Sequence, residues 1–146
     1  MFITGKEVDF RPISPTDVAL LYRWLNDPEV THYLFYGQLP LSEKQVADMV
    51  DDYINNPNCV TFIVIEKKSR QVIGFAGIFD LHFTAHRGAI RIVIGEKQFW
   101  NSGFALEICA QLTHFGFDRL NLNAIEVGMS RADNRGAIRM YEMLGY

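Results

Sequence analysis

The stretch Gln98–Ala105, QFWNSGFA, follows the apolar run AIRIVIG (89–95) and leads into the apolar-periodic FALEICAQLTHFGF. That is the pattern of a turn that leaves a strand and opens a helix. A helix N-terminus carries backbone N–H groups without internal partners, together with the positive end of the helix dipole. A turn of small residues in front of it lets a ligand approach that backbone, which makes an anion site suited to phosphate. Ser102 supplies a cap, Gly103 lacks a β-carbon and Ala105 is a small residue in the first turn. Most turns of this composition bind nothing, so the stretch alone leaves both readings open. Two familiar phosphate loops are excluded, because the chain has neither GxxxxGK[ST] nor a GxGxxG after its first strand.

The elements that would position this turn follow from periodicity. EVDFRPIS alternates Val8 and Phe10 with polar neighbours and predicts a short strand. Ser14, Pro15 and Asp17 open a helix with Val18, Leu21, Tyr22 and Leu25 at helical spacing, and Asp27-Pro28 ends it. Ser42 caps a second helix whose Val46, Met49, Val50 and Tyr53 share a face; Asn55-Asn56-Pro57-Asn58 stops it. Strands at 60–68 and 71–83 are joined at Lys68-Ser69-Arg70 as a hairpin. A third strand-like run, 88–96, points Ile90, Ile92 and Ile94 one way and Ala89, Arg91 and Val93 the other. A helix at 103–118, a strand at 123–130 and a helix at 134–145 follow. The order β-α-α-β-β-β-α-β-α predicts an α/β (α+β) fold: a mixed, mostly antiparallel twisted sheet with helices on both faces.

The 146 residues make one domain, 1–146, and just under half are apolar, enough for a sizeable core. A formal charge of −3 gives no electrostatic case for nucleic acid or an anionic membrane. No apolar run reaches the ~20 residues of a membrane helix, and MFITGKEVDF lacks the apolar core of a secretory signal. Cys59 and Cys109 form no CxxC or Cys/His cluster, so the expectation is a reduced, cytoplasmic chain without a metal site. Cys109, between Ile108 and Leu112, reads as a packed small residue.

HRGAIRIVIGEKQFWNSGFALE and NLNAIEVGMSRADNRGAIRMYEMLGY together resemble the GNAT superfamily of N-acetyltransferases, and most of all its RimJ/RimL-like branch. The first matches the family's strand, Gly-containing loop and helix start. The second carries its closing signature in Asn134, Ala137, Tyr141, Glu142, Gly145 and Tyr146. VDFRPISPTDVALLYRWLNDPEV is similar to the family's opening, so the likeness spans nearly the whole chain.

The resemblance implies acetyl-coenzyme A as co-substrate. The backbone of Trp100, Asn101, Ser102, Gly103, Phe104 and Ala105 would hold its pyrophosphate, Ile92, Val93 and Ile94 would pair with the pantetheine arm, and Asn134 would hold that arm. Asn101 stands where the loop usually has its first Gly, and Asn is the next most tolerant residue of positive φ.

Acetyl transfer to an amine needs a neutral amine, a stabilised oxyanion and a proton for the leaving thiolate. A thiol pKa near ~8.5 allows a tyrosine near ~10 to reprotonate it, and the resemblance gives that role to Tyr141. Asn134 and Tyr141 share a helix face with residues 138 and 145. A strand amide near Ile94 would serve the oxyanion. The glutamate that many relatives carry in the strand is replaced by Ala89, which leaves Asp80, His82 or a water chain as the base. Asp80 as a strand end and His82 as a surface residue are the ordinary readings of the same positions, and Glu96 reads as a solvated loop residue. Trp24 and the run His32–Tyr36 read equally as acceptor-pocket border or as an aromatic cluster. Arg135 and Arg139 read as solvated helix charges or as phosphate contacts.

The acceptor would be a small-molecule amine or a protein N-terminal amine, and the branch resemblance favours the protein amine. The family pattern continues with two further strands that this sequence lacks after Tyr146. Either the sequence is a piece of a longer protein that carries them, or a second copy, as in a homodimer, would cover the open edge of the strand at 123–130. The alternative to an enzyme is a non-catalytic acyl-coenzyme A-binding or interaction module of the same fold.

Overall fold

The computed structural model describes residues 2–32, 40–100 and 102–127, with the side chain of Val127 excepted. Two short strands, β1 (Ile3–Thr4) and β2 (Val8–Pro12), open the chain. A two-residue strand has too little alternation to show in the sequence, and β1 exists through its pairing with Asp9 and Phe10 of β2. Ser14 and Asp17 form a capping box, as the spacing predicts, around a 3-10 turn (Pro15–Asp17) that leads into α1 (Val18–Leu25). Asp27-Pro28 ends α1, but helical structure resumes at once. The Asp27 carboxylate accepts from the Glu29 amide at 3.0 Å and caps the four-residue α2 (Pro28–Thr31). A second capping box, Ser42 with Gln45, starts α3 (Glu43–Asn55), which buries Val46, Val50 and Tyr53.

Strands β3 (Val60–Glu66), β4 (Val72–His82) and β5 (Arg87–Ile94) form an antiparallel meander. β3 ends two residues before the predicted limit. The Arg70 amide donates to the Glu66 carbonyl and the Glu66 amide to the Gln71 carbonyl, so the turn takes up Lys67 and Lys68. A 3-10 turn (Lys97–Phe99) and α4 (Phe104–Asp118) lead to β6 (Ala124–Val127), which pairs parallel with β5. A parallel pair needs a crossover, and α4 is that crossover. The six strands therefore lie in sequence order, antiparallel except for the last pair. The residues of the predicted last helix, 134–145, and positions 128–130 of the predicted strand lie outside the described residues.

Strand alternation divides the core into two layers. Val8, Phe10, Phe62, Val64, Ile78 and Ile90 pack against Ile108, Cys109, Leu112 and Phe115 of α4. Ile63, Ile65, Phe75, Phe79 and Val93 pack against Leu21, Trp24 and Leu25 of α1 and Val46, Val50 and Tyr53 of α3. Ile92 and Ile94 also lie on the α4 side, so the predicted division of β5 holds. Helices cover both faces of the sheet.

The end of β5 is fixed by one close approach. A β-carbon on Gly95 would lie 2.1 Å from the Trp24 indole, and Trp24 is 1% exposed. Gly95→Ala is therefore expected to destabilise the fold by about 1–3 kcal/mol through overpacking. Urea denaturation measures this, and a stability equal to the parent's would mean that the indole yields freely.

Candidate active site

After Ile94 the chain leaves the sheet abruptly. The amides of Gly95 and Glu96 both donate to the carbonyl of Ile73, at 2.9 and 3.2 Å, which ends the regular ladder. Glu96 is not the solvated residue expected from the sequence. Its side chain is 16% exposed; it accepts from the Trp24 indole N–H at 3.2 Å and pairs with Arg23. The physical reason is the burial of Trp24, whose N–H needs an acceptor beneath α1. Lys97 reaches back to Asp27 at 2.8 Å and Glu29 at 3.4 Å. The Lys97 hydrogen bond holds the Asp27 carboxyl below its usual range. Sequence reasoning missed this clamp of Arg23, Trp24, Glu96 and Lys97 because its halves lie about seventy positions apart.

The turn itself is tied to the strand by Trp100, whose indole N–H donates to the Ile94 carbonyl at 2.8 Å. Ser102 does not cap α4, contrary to expectation. Its hydroxyl donates to the Trp100 carbonyl at 3.2 Å, and the N-cap is Gly103 in a left-handed conformation, φ 83°. Gly103 accommodates this without strain, and the turn it makes carries Ser102 away from the helix start. Among the described residues no side chain caps α4, and a β-carbon built on Gly103 would meet nothing within 4 Å. Among the described residues nothing therefore crowds Gly103 at the positive end of this fifteen-residue helix. Phe104 turns inward against Phe99, edge to face at 5.6 Å, so the helix start is anchored from beneath. Phe104 and Ala105 are half-buried, and Ser102 and Gly103 are exposed. The open, glycine-started helix end fits a pyrophosphate.

Asp80 and His82 lie elsewhere on the sheet. Gly74 pairs with Ile94 at the loop end of the β4–β5 ladder, and Asp80 is six positions further along β4, roughly 20 Å at strand rise. The structure brings Asp80 and His82 together on the wall of a cavity of about 600 Å³, with Asp52, Asn58, Cys59 and Arg91. The β4–β5 register breaks between Phe79 and His82, and Asp80 takes a positive φ of 53° in that bulge. Arg91 lies 4.9 Å over the Phe79 ring and 3.4 Å from the Asp80 carboxylate. Asp52 and Arg91 line the same cavity through the end of α3 and the β4–β5 bulge, which no local sequence pattern announces.

Trp24 is a core residue, stacked on Phe75 at 6.5 Å. His32 is exposed and lines a smaller hollow of about 320 Å³ with Pro28, Glu29 and Trp100. Tyr33 to Tyr36, Asn101, Asn134, Arg135, Arg139 and Tyr141 lie outside the described residues. Among the described residues no group of three His, Cys, Asp or Glu is arranged to hold a metal, and no helix is long and apolar enough to cross a membrane.

The Acetyltransferase (GNAT) domain family matches this chain over residues 7–146, and the chain belongs to that family of acetyltransferases. It is similar to the uncharacterized N-acetyltransferase p20 of Bacillus licheniformis, 27% identical over 97% of this chain and 79% of that one. It is also similar to an N-acetyltransferase 9-like protein of Nematostella vectensis, 23% identical over 99% of this chain and 76% of that one. Among solved structures, the spermidine N-acetyltransferase of Vibrio cholerae in complex with CoA and spermine superposes with a TM-score of 0.85. That likeness covers 95% of this chain and 80% of the other at 19% identity. A GNAT-family acetyltransferase of Bacillus anthracis superposes at 0.82, with 20% identity and coverage of 98% and 81%.

Neither described thiol has the environment of a nucleophile. Cys109 is buried in the α4-side core, and burial pushes its thiol up to about 11 from 9.0; burial also raises Cys59. The folded Cys109 thiol keeps its proton at pH values where the unfolded chain releases it. Its contribution to stability is complete below about pH 9 and is lost as the pH rises towards 11. The stability difference between the parent and Cys109→Ala, followed by urea denaturation, is expected to shrink across that interval. A constant difference would contradict the assignment.

Proposed function

We propose that this protein transfers an acetyl group from acetyl-coenzyme A to a primary amine by direct attack. The observation that carries the reading is the uncapped, glycine-started end of α4, set directly after β5 by the Trp100–Ile94 hydrogen bond. The amides from Trp100 to Ala105, Asn101 included, would hold the pyrophosphate. Ile92, Val93 and Ile94 would pair with the pantetheine arm, and Asn134 would hold it. Bound there, the co-substrate supplies a thioester carbonyl to the amine.

The remaining tasks fall to the chain's own side chains. An amide near Ile94 would donate to the oxyanion, and Tyr141 would protonate the departing thiolate. With Ala89 in place of an acid on β5, Asp80, His82 or a water between them would take the amine's proton. Asp80 and His82 share one cavity wall, which supports a joint role. The placement in the RimJ/RimL-like branch belongs to this proposal and rests on the quoted motifs. The spermidine enzyme among the structural neighbours supports a small-molecule amine over a protein N-terminus as acceptor.

Two variants test the reading. Tyr141→Phe removes one hydroxyl, and turnover is expected to fall by about 10²- to 10⁴-fold with acetyl-coenzyme A affinity retained. Unchanged turnover would remove Tyr141 from the mechanism. Gly103→Val places a branched side chain at φ 83°, which costs stability of about 1–2 kcal/mol, and also fills the open space over the helix start. Acetyl-coenzyme A affinity is expected to fall by more than that destabilisation explains. Calorimetric titration beside a denaturation curve makes the comparison, and an unaltered dissociation constant would refute the pyrophosphate site.

A further inference from the structure

The cavity at the far end of β4 has features that packing does not require. Its volume of about 600 Å³ falls within the range of roughly 300–1,000 Å³ typical of small-molecule sites. Its walls come from three separate places: the last turns of α3, the Asn58–Cys59 entry to β3, and the β4–β5 bulge. The aromatic rings of Tyr53 and Phe79 are buried on one side, edge to face at 5.3 Å. Asp52 and Asp80 both line the cavity, and Arg91, also on its wall, lies 3.4 Å from the Asp80 carboxylate. Asp80 holds its position at φ 53°, a left-handed backbone conformation that L-residues adopt at a cost and that concentrates at functional sites. Two carboxylates against one guanidinium among the lining side chains leave an excess of negative charge, which favours a cation.

Position gives the cavity its purpose. Arg91 on its wall immediately precedes Ile92 on β5, so the cavity and the run assigned to the cofactor arm share neighbouring residues of one strand. We propose that this cavity is the acceptor pocket and that it admits a small cationic amine, its ammonium set between Asp52 and Asp80 and its aliphatic body against Tyr53 and Phe79. The proposal rests on the acetyl-transfer reading for its purpose, but binding in the cavity is measurable without turnover. A cavity of this volume suits a small molecule.

Cys59 lines the cavity and Cys109 is buried in the opposite core, so the chain carries its own reporter and internal control. The rate of Cys59 modification by methyl methanethiosulfonate, followed by mass spectrometry, is measured with 1,4-diaminobutane and with succinate, an anion of the same chain length. Diaminobutane at a few times its dissociation constant is expected to slow Cys59 modification by about fivefold by simple occupancy, and succinate to leave it unchanged. Asp52→Asn should weaken the protection. Asn58→Trp, at an exposed wall position, should abolish it by filling the space. Equal rates with and without diaminobutane, equal protection by succinate, or protection that survives both substitutions would overturn the proposal. Titration of the same samples with acetyl-coenzyme A reports separately on the transferase reading. Its failure beside intact Cys59 protection would condemn the reaction and leave the amine pocket standing.

Discussion

Gly95 has no side chain because the Trp24 indole occupies the space where one would stand. Much of the site's geometry follows from that contact. The buried indole needs an acceptor for its N–H, and Glu96, the next residue, provides it while also pairing with Arg23. With positions 95 and 96 held against α1, the chain must turn away from the sheet after Ile94. Trp100 then returns its own indole N–H to the Ile94 carbonyl, which fixes where α4 begins. Two tryptophans at the strand end, both packed in the α1 and α3 layer, thus hold β5 and the first turn of α4 in place. A cofactor reading of that turn depends on this placement more than on the identity of any one loop residue.

The two-layered core explains how one strand can serve two partners. β5 sends Ile90, Ile92 and Ile94 towards α4 and Val93 towards α1 and α3, so its backbone is held from both faces. Arg91 is exposed and reaches the bulge at Asp80, in the cavity that it lines together with Asp52 and Tyr53 of α3. The helix end and the cavity are therefore linked by a rigid strand, with no mobile part required between them. In the proposed enzyme the cofactor and the acceptor would approach that strand from its two ends.

Much of this was legible in the sequence, for physical reasons that differ from element to element. The capping boxes at Ser14 and Ser42 are local, so four residues of text were enough to place two helix starts. The alternation in β5 has a period of two and survived unchanged. Ser102 misled because an oxygen-bearing residue next to a glycine reads as a cap, whereas the left-handed Gly103 takes the cap position itself. Glu96 misled because its partners, Arg23 and Trp24, lie on another element. The cavity was illegible for the same reason. Asp80 and His82 could be named as candidates on one strand, but their meeting with Asp52 and Arg91 depends on a register break that no local pattern announces.

The central claim is that the open first turn of α4 binds acetyl-coenzyme A. Calorimetric titration of the purified protein with acetyl-coenzyme A, with desulfo-coenzyme A as a second ligand, tests it most directly. Saturable one-to-one binding of both, at micromolar concentrations, is the result that the loop and helix geometry predicts. A well-folded protein that binds neither would contradict it, and the resemblance would then describe the fold of this chain without its chemistry.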